Sequence, residues 1–139
     1  MVTTLSGLVG GLLGAVAVAG AARALEVEPW PSATVWAMYL GDGQPEGYET
    51  AGLAVHVVYG TLAGGLFVAL VGEPGSPTLG AALLWSVGWG LVLAVVAVGL
   101  WLRVLIGEVP DPEGLARLAG LHILYGVVLG LVIYAVPGI

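Results

Sequence analysis

Charged side chains interrupt this 139-residue chain at so few places that the gaps between them define its elements. A helix crossing a bilayer needs ~20 consecutive, mostly apolar residues. Four gaps qualify: residues 2–22 before Arg23, 50–72 between Glu49 and Glu73, 74–102 between Glu73 and Arg103, and 118–139 after Arg117. Each is rich in Leu, Val, Ala and Gly, and together they predict four transmembrane helices near 4–25, 50–72, 78–106 and 114–136. The first run has no basic residues ahead of it and exceeds the ~7–15 apolar residues of a secretory signal, so it is expected to be retained. Pro74 and Pro77 in the EPGSP segment predict a tight turn, and Pro110 and Pro112 in EVPDPEG predict a break. Such short connections make antiparallel neighbours.

The 24–49 segment has a different pattern. Glu26, Glu28, Asp42, Glu46 and Glu49 alternate with Trp30, Trp36, Tyr39 and Tyr48, a mixture suited to the headgroup region. Pro31 stands at a first helical position, Val35, Trp36, Tyr39 and Leu40 follow at helical spacing, and Gly41 is a stop. A short helix over 31–40, lying on the membrane surface, is expected.

Sliding the chain on itself by 66 residues aligns His56-Val-Val-Tyr59-Gly60-x-x-x-Gly64 with His122-Ile-Leu-Tyr125-Gly126-x-x-x-Gly130. An offset of 80 pairs Arg23-x-Leu25-x-x-Glu28 with Arg103-x-Leu105-x-x-Glu108. The expected fold is therefore an all-α membrane protein: one domain over 1–139, made of two pseudo-repeated antiparallel hairpins, 1–76 and 77–139. Repeats of the same sense imply a pseudo-twofold axis along the membrane normal. The order of features, from Ser6-Gly-Leu-Val-Gly-Gly-Leu-Leu-Gly14 through Tyr39-Leu-Gly-Asp-Gly43 to the two His-x-x-Tyr-Gly-x-x-x-Gly motifs, resembles a family of small, uncharacterised archaeal and bacterial membrane proteins. The resemblance covers nearly the whole chain and brings no activity with it.

Composition narrows the picture further. With 9% charged residues, 24 glycines and a mean hydropathy of +1.06, the chain is unlike a soluble domain, in which about 25% of residues are charged. The absence of cysteine excludes disulfides, thiolate metal sites and a cysteine nucleophile. Three arginines and a net charge of −6 offer no phosphate-binding patch, so nucleic acid is excluded as a partner. Once the helices alternate in direction, all three arginines share one side. The positive-inside rule makes that side cytoplasmic and places both termini outside the cell membrane. Eight of the nine carboxylates share it too, which with the lack of lysine suggests adaptation to high salt.

Small residues four apart let helices approach closely in lipid. Ser6, Gly10 and Gly14 form one stripe on the first span with Gly7 and Gly11 beside it, and Ser86, Gly90 and Ala94 form another on the third. These predict tight packing, within the chain or with a second copy or other membrane subunits. His56 and His122 are ionisable residues at similar depth: His56 stands about 10 Å inward from Glu49, and His122 about 8–14 Å from Arg117 or Glu113. Three readings stand open. Each imidazole is a polar clamp, bonded to a backbone carbonyl, Thr61, Ser86 or a tyrosine on a neighbouring helix. Alternatively, His56 and His122 are axial ligands of a haem b iron, the glycines making room for the macrocycle. In the third, the histidines with Tyr59 and Tyr125 line a pathway for protons or a small solute. The clamp is favoured. No catalytic constellation, phosphate loop or metal-ligand spacing is present, so neither an enzyme nor a metal site is expected. Trp85 and Trp89 read as packing or lipid contacts, and Trp101 as an interfacial anchor.

Overall fold

A computed structural model describes residues 2–27, 30–41, 43–71 and 78–139. The chain is all-helical among these residues. Helix α1 spans Thr4–Ala24, α2 Pro31–Tyr39, α3 Glu49–Val71, α4 Leu79–Val96 and α5 Pro112–Ala135. A 3₁₀ turn, Pro45–Tyr48, leads into α3, and α4 continues as a π-helical stretch, Ala97–Ile106. Four of these helices are long and apolar enough to cross a membrane. The EPGSP turn, Glu28 and Asp42 lie outside the described residues.

Local chemistry sets the ends. Thr3 accepts from the Ser6 N–H at 3.2 Å while Ser6 answers the Thr3 N–H at 3.2 Å, a reciprocal cap for α1. Thr78 accepts from Ala81 N–H at 3.2 Å to open α4, and Asp111 accepts from Gly114 N–H at 2.7 Å to open α5, with Pro112 at the first helical position. Gly107, at φ 82°, ends the π stretch in the left-handed region that a side chain disfavours. Glu26 takes φ 54° after α1 and turns the chain so that the Val27 N–H reaches the Ala22 carbonyl at 2.9 Å.

The two stripes of α1 serve two different neighbours. A Cβ on Gly7 would stand 2.5 Å from the Gly64 carbonyl oxygen, and one on Gly11 2.5 Å from that of Gly60, so this stripe lies directly on α3. Gly10 and Gly14 instead face Leu129 and Tyr125 of α5. On the far side, Gly126 lies against the Ser86 backbone, Gly130 against Ala82, and Gly90 against the His122 carbonyl. The pairs run antiparallel, since rising numbers on one helix meet falling numbers on the other. The neighbours thus run in the order α3, α1, α5, α4. Lipid gives helices no reward for hiding apolar surface from one another, so van der Waals contact over these small residues carries the association.

Helix α2 crosses the start of α3 at Gly52, where an added Cβ would meet the Ala33 backbone nitrogen at 2.7 Å, and Ser32 Oγ donates to the Gly52 carbonyl at 2.8 Å. Tyr39 then reaches past α3 to donate to the Leu105 carbonyl at 2.8 Å. The end of the π stretch that bears Arg103 therefore lies against α2, and the antiparallel order of the helices puts the Arg23 and Arg117 ends on the same side. At the opposite end Thr3 N–H bonds the Pro137 carbonyl at 3.0 Å.

Candidate functional site

Both His-x-x-Tyr-Gly motifs converge on one cavity of about 140 Å³. All four long helices supply its walls: Val18 and Ala22 from α1, His56 and Tyr59 from α3, Leu93, Ala97 and Trp101 from α4 and its π stretch, His122 and Tyr125 from α5. Trp30, Pro31 and Ser32 close the end beneath α2. The i, i+3 spacing puts each histidine and its tyrosine on one helix face, and both such faces turn inward here.

The imidazoles are held differently. His56 Nε2 lies 3.2 Å from the Ala15 carbonyl on α1, so it ties two helices together. His122 Nδ1 lies 2.9 Å from the Leu118 carbonyl of its own helix. A carbonyl oxygen only accepts, so each of these nitrogens must carry the proton. A neutral ring that donates through one nitrogen offers a bare lone pair on the other, here Nδ1 of His56 and Nε2 of His122. No described residue donates to either. The Trp30 ring packs on His56 with centroids 4.8 Å apart.

The tyrosines diverge as well. Tyr125 OH donates to the Gly60 carbonyl at 2.6 Å, joining α5 to α3 across the bundle. Tyr59 stands edge-on to Trp101, centroids 6.3 Å apart at 81°, and its hydroxyl has no hydrogen-bond partner among the described residues. Gly60 lies against Ala15 with Gly64 a turn further along α3, and Gly126 lies against α4 with Gly130 a turn further along α5, so the motif glycines are packing surfaces at both interfaces.

Other sequence candidates fall elsewhere. Trp89 Nε1 donates to the Ala63 carbonyl at 3.1 Å and its ring packs on Phe67, whereas Trp85 faces outward. Thr61 bonds the Val57 carbonyl of its own helix at 2.7 Å rather than a histidine. Ser86 Oγ is buried without a hydrogen-bond partner among the described residues. Arg117 pairs with Glu113, one turn away on the surface. Trp101, read from sequence as an interfacial anchor, also forms a wall of the cavity.

Sequence reasoning missed the cavity itself, together with Trp30, Ala97 and Trp101 as its walls. The π stretch has no residue signature of its own. Ala97 and Trp101, both in it, line the cavity, and π segments recur at functional sites. The haem reading is not supported by this geometry. A cavity of about 140 Å³ is close to the ~150 Å³ that holds a single benzene ring, well short of a macrocycle of four pyrrole rings, and His56 Nε2 is already engaged.

Comparison with protein-family models, with curated proteins and with solved structures finds no match.

Proposed function

We propose that this chain is a multi-pass protein of the cell membrane with a structural or accessory role, associating with a second copy or with other membrane subunits rather than catalysing a reaction. One observation carries this reading. Helix α4 with its π stretch is the least covered of the four spans: 17% of its apolar window is buried, against 44% for α1 and 33% for each of the other two. It leaves Leu84, Trp85 and Val95 facing outward. Gly80, Gly88 and Gly99 on α4 and its π stretch have nothing within 4 Å of an added Cβ, whereas Gly7, Gly10, Gly11 and Gly14 of α1, Gly60 and Gly64 of α3, and Gly126 and Gly130 of α5 are engaged within the chain, so α4 is the face best left for a neighbour.

The packing supports two pseudo-repeated halves. Gly60 and Gly64 sit on Gly7, Gly11 and Ala15 of α1, and their counterparts Gly126 and Gly130 sit on Ala82, Ser86 and Gly90 of α4. The packed positions 7, 11 and 15 correspond to 82, 86 and 90, an offset of 75 rather than the 80 that the arginines give. The second half therefore holds five more residues between its packing stripe and its arginine, and the π stretch lies among them. The resemblance to the family with repeated His-x-x-Tyr-Gly-x-x-x-Gly motifs belongs to the same proposal, as does the orientation with both termini extracytoplasmic.

The chain has no cysteine, so single introduced cysteines report unambiguously. Leu84→Cys or Val95→Cys should cross-link in native membranes, whereas Val16→Cys on the outward side of α1 should not. A monomeric mass in mild detergent, with no cross-link from α4 to any protein in the membrane, would overturn the reading.

A further inference from the structure

We infer that the cavity between His56 and His122 is a binding site for a neutral, lipid-soluble aromatic ring carrying hydroxyl donors, the chemistry shared by simple phenols and the headgroup of a membrane quinol. Four observations converge. The volume, about 140 Å³, matches the ~150 Å³ at which an apolar protein cavity takes up benzene. Four aromatic side chains, Trp30, Trp101, Tyr59 and Tyr125, stand with the two imidazoles among otherwise aliphatic walls. Hydrogen bonds to Ala15 and Leu118 leave His56 Nδ1 and His122 Nε2 as bare acceptors, so an occupant that satisfies them must bring hydrogen-bond donors, which the hydroxyls of a phenol or quinol supply without charge. Among the described residues the lining contains no carboxylate, lysine or arginine to compensate a charged ligand.

The way in is from the lipid. A shallow apolar groove on the outer side of α3 shares Val55, Tyr59 and Trp101 with the cavity and continues over Val58 and Leu62, which are 58% and 61% exposed. The edge-on pair of Tyr59 and Trp101 stands where groove and cavity meet. A ring can seat between the histidines while an apolar tail lies along the groove.

The test compares phenol with toluene on the purified protein in lipid nanodiscs, each corrected for partitioning into the lipid. Phenol should bind about tenfold tighter, because only it can donate to an imidazole. In histidine ¹⁵N spectra it should move the two bare-nitrogen resonances while toluene leaves them in place. Ala97→Phe, which fills the cavity, should abolish both ligands, and His122→Phe should reduce phenol to the level of toluene. Displacement of phenol by a long-tailed quinol at far lower concentration than by free hydroquinone would support the site with a quinol headgroup as the source. Equal displacement by the two would support it with a free phenol as the source. Equal binding of phenol and toluene to the unaltered protein overturns the proposal, with no variant needed. Phenol binding unchanged in Ala97→Phe overturns it as well, by placing the ligand elsewhere.

Discussion

Tyr125 on α5 donates its phenolic hydrogen to the Gly60 carbonyl on α3 at 2.6 Å, although helix α1 packs against both. This is the one side-chain hydrogen bond between α3 and α5 among the described residues. It runs between the tyrosine of one motif and the glycine of the other. Among the described residues Tyr59 makes no reciprocal bond to Gly126; it stands edge-on to Trp101 instead.

Removing that hydroxyl should therefore have a one-sided effect. Tyr125→Phe is expected to destabilise the bundle by about 0.6–1.7 kcal/mol, the range for hydrogen bonds between membrane helices. Tyr59→Phe, whose hydroxyl no described residue takes, should change stability by less. Reversible unfolding in mixed micelles, titrated with SDS, separates the two, and equal losses would contradict the asymmetry.

Glycine substitutions should sort by neighbour rather than by motif. A Cβ on Gly64 would stand 2.3 Å from the Gly7 carbonyl oxygen and 2.7 Å from Gly11 Cα, both backbone atoms that move only with their helix. Gly64→Ala should cost about 1–3 kcal/mol as α1 and α3 are pushed apart. Nothing lies within 4 Å of a Cβ at Gly88, so Gly88→Ala should be neutral or stabilising by up to about 1 kcal/mol. The same SDS titration ranks them.

Much of this arrangement was legible in the chain before folding. The gaps between Arg23, Glu49, Glu73, Arg103 and Arg117 located the spans to within about two residues, because in lipid a charge is costly enough to mark a boundary by itself. The paired stripes of α1 were visible, but not that Gly7 and Gly11 meet α3 while Gly10 and Gly14 meet α5, since either stripe is equally suited to either neighbour. The histidine hydrogen bonds were expected as links between helices. His56 makes such a link and His122 does not, because its ring closes on Leu118 one turn back. The cavity was not legible at all: its walls come from all four long helices and from Trp30, which only tertiary packing brings together.

Helix α5 begins at a cap whose value can be read separately from the nearby ion pair. Asp111→Ala should cost about 1 kcal/mol, since it leaves the Gly114 N–H without its carboxylate. Glu113→Gln should cost less than about 0.5 kcal/mol, because its pair with Arg117 is exposed to solvent and ions. Thermal melting at low and at 1 M salt checks this: the small Glu113 effect should vanish at high salt.

The size of the cavity makes a spectroscopic prediction. Purified protein supplied with haem b and reduced should show no Soret band that depends on His56 or His122. A stoichiometric band lost in both His56→Ala and His122→Ala would require the bundle to open far beyond its present about 140 Å³.

Orientation can be read with the same cysteine-free background. A Gln44→Cys reporter in the segment on the arginine side should react with an impermeant maleimide only after the membrane is permeabilised. Labelling in intact cells would reverse the assignment and place both termini inside.

The π winding of α4 also bears on fit to the bilayer. As a continuous α-helix the 28 residues Leu79–Ile106 would extend about 42 Å, against about 32 Å for the 21 residues of Thr4–Ala24 and ~30 Å of hydrocarbon. Winding the last ten residues more widely draws that length back, since the same contour goes into broader turns. The π stretch thus brings the longest of the four apolar helices closer to the length of α1.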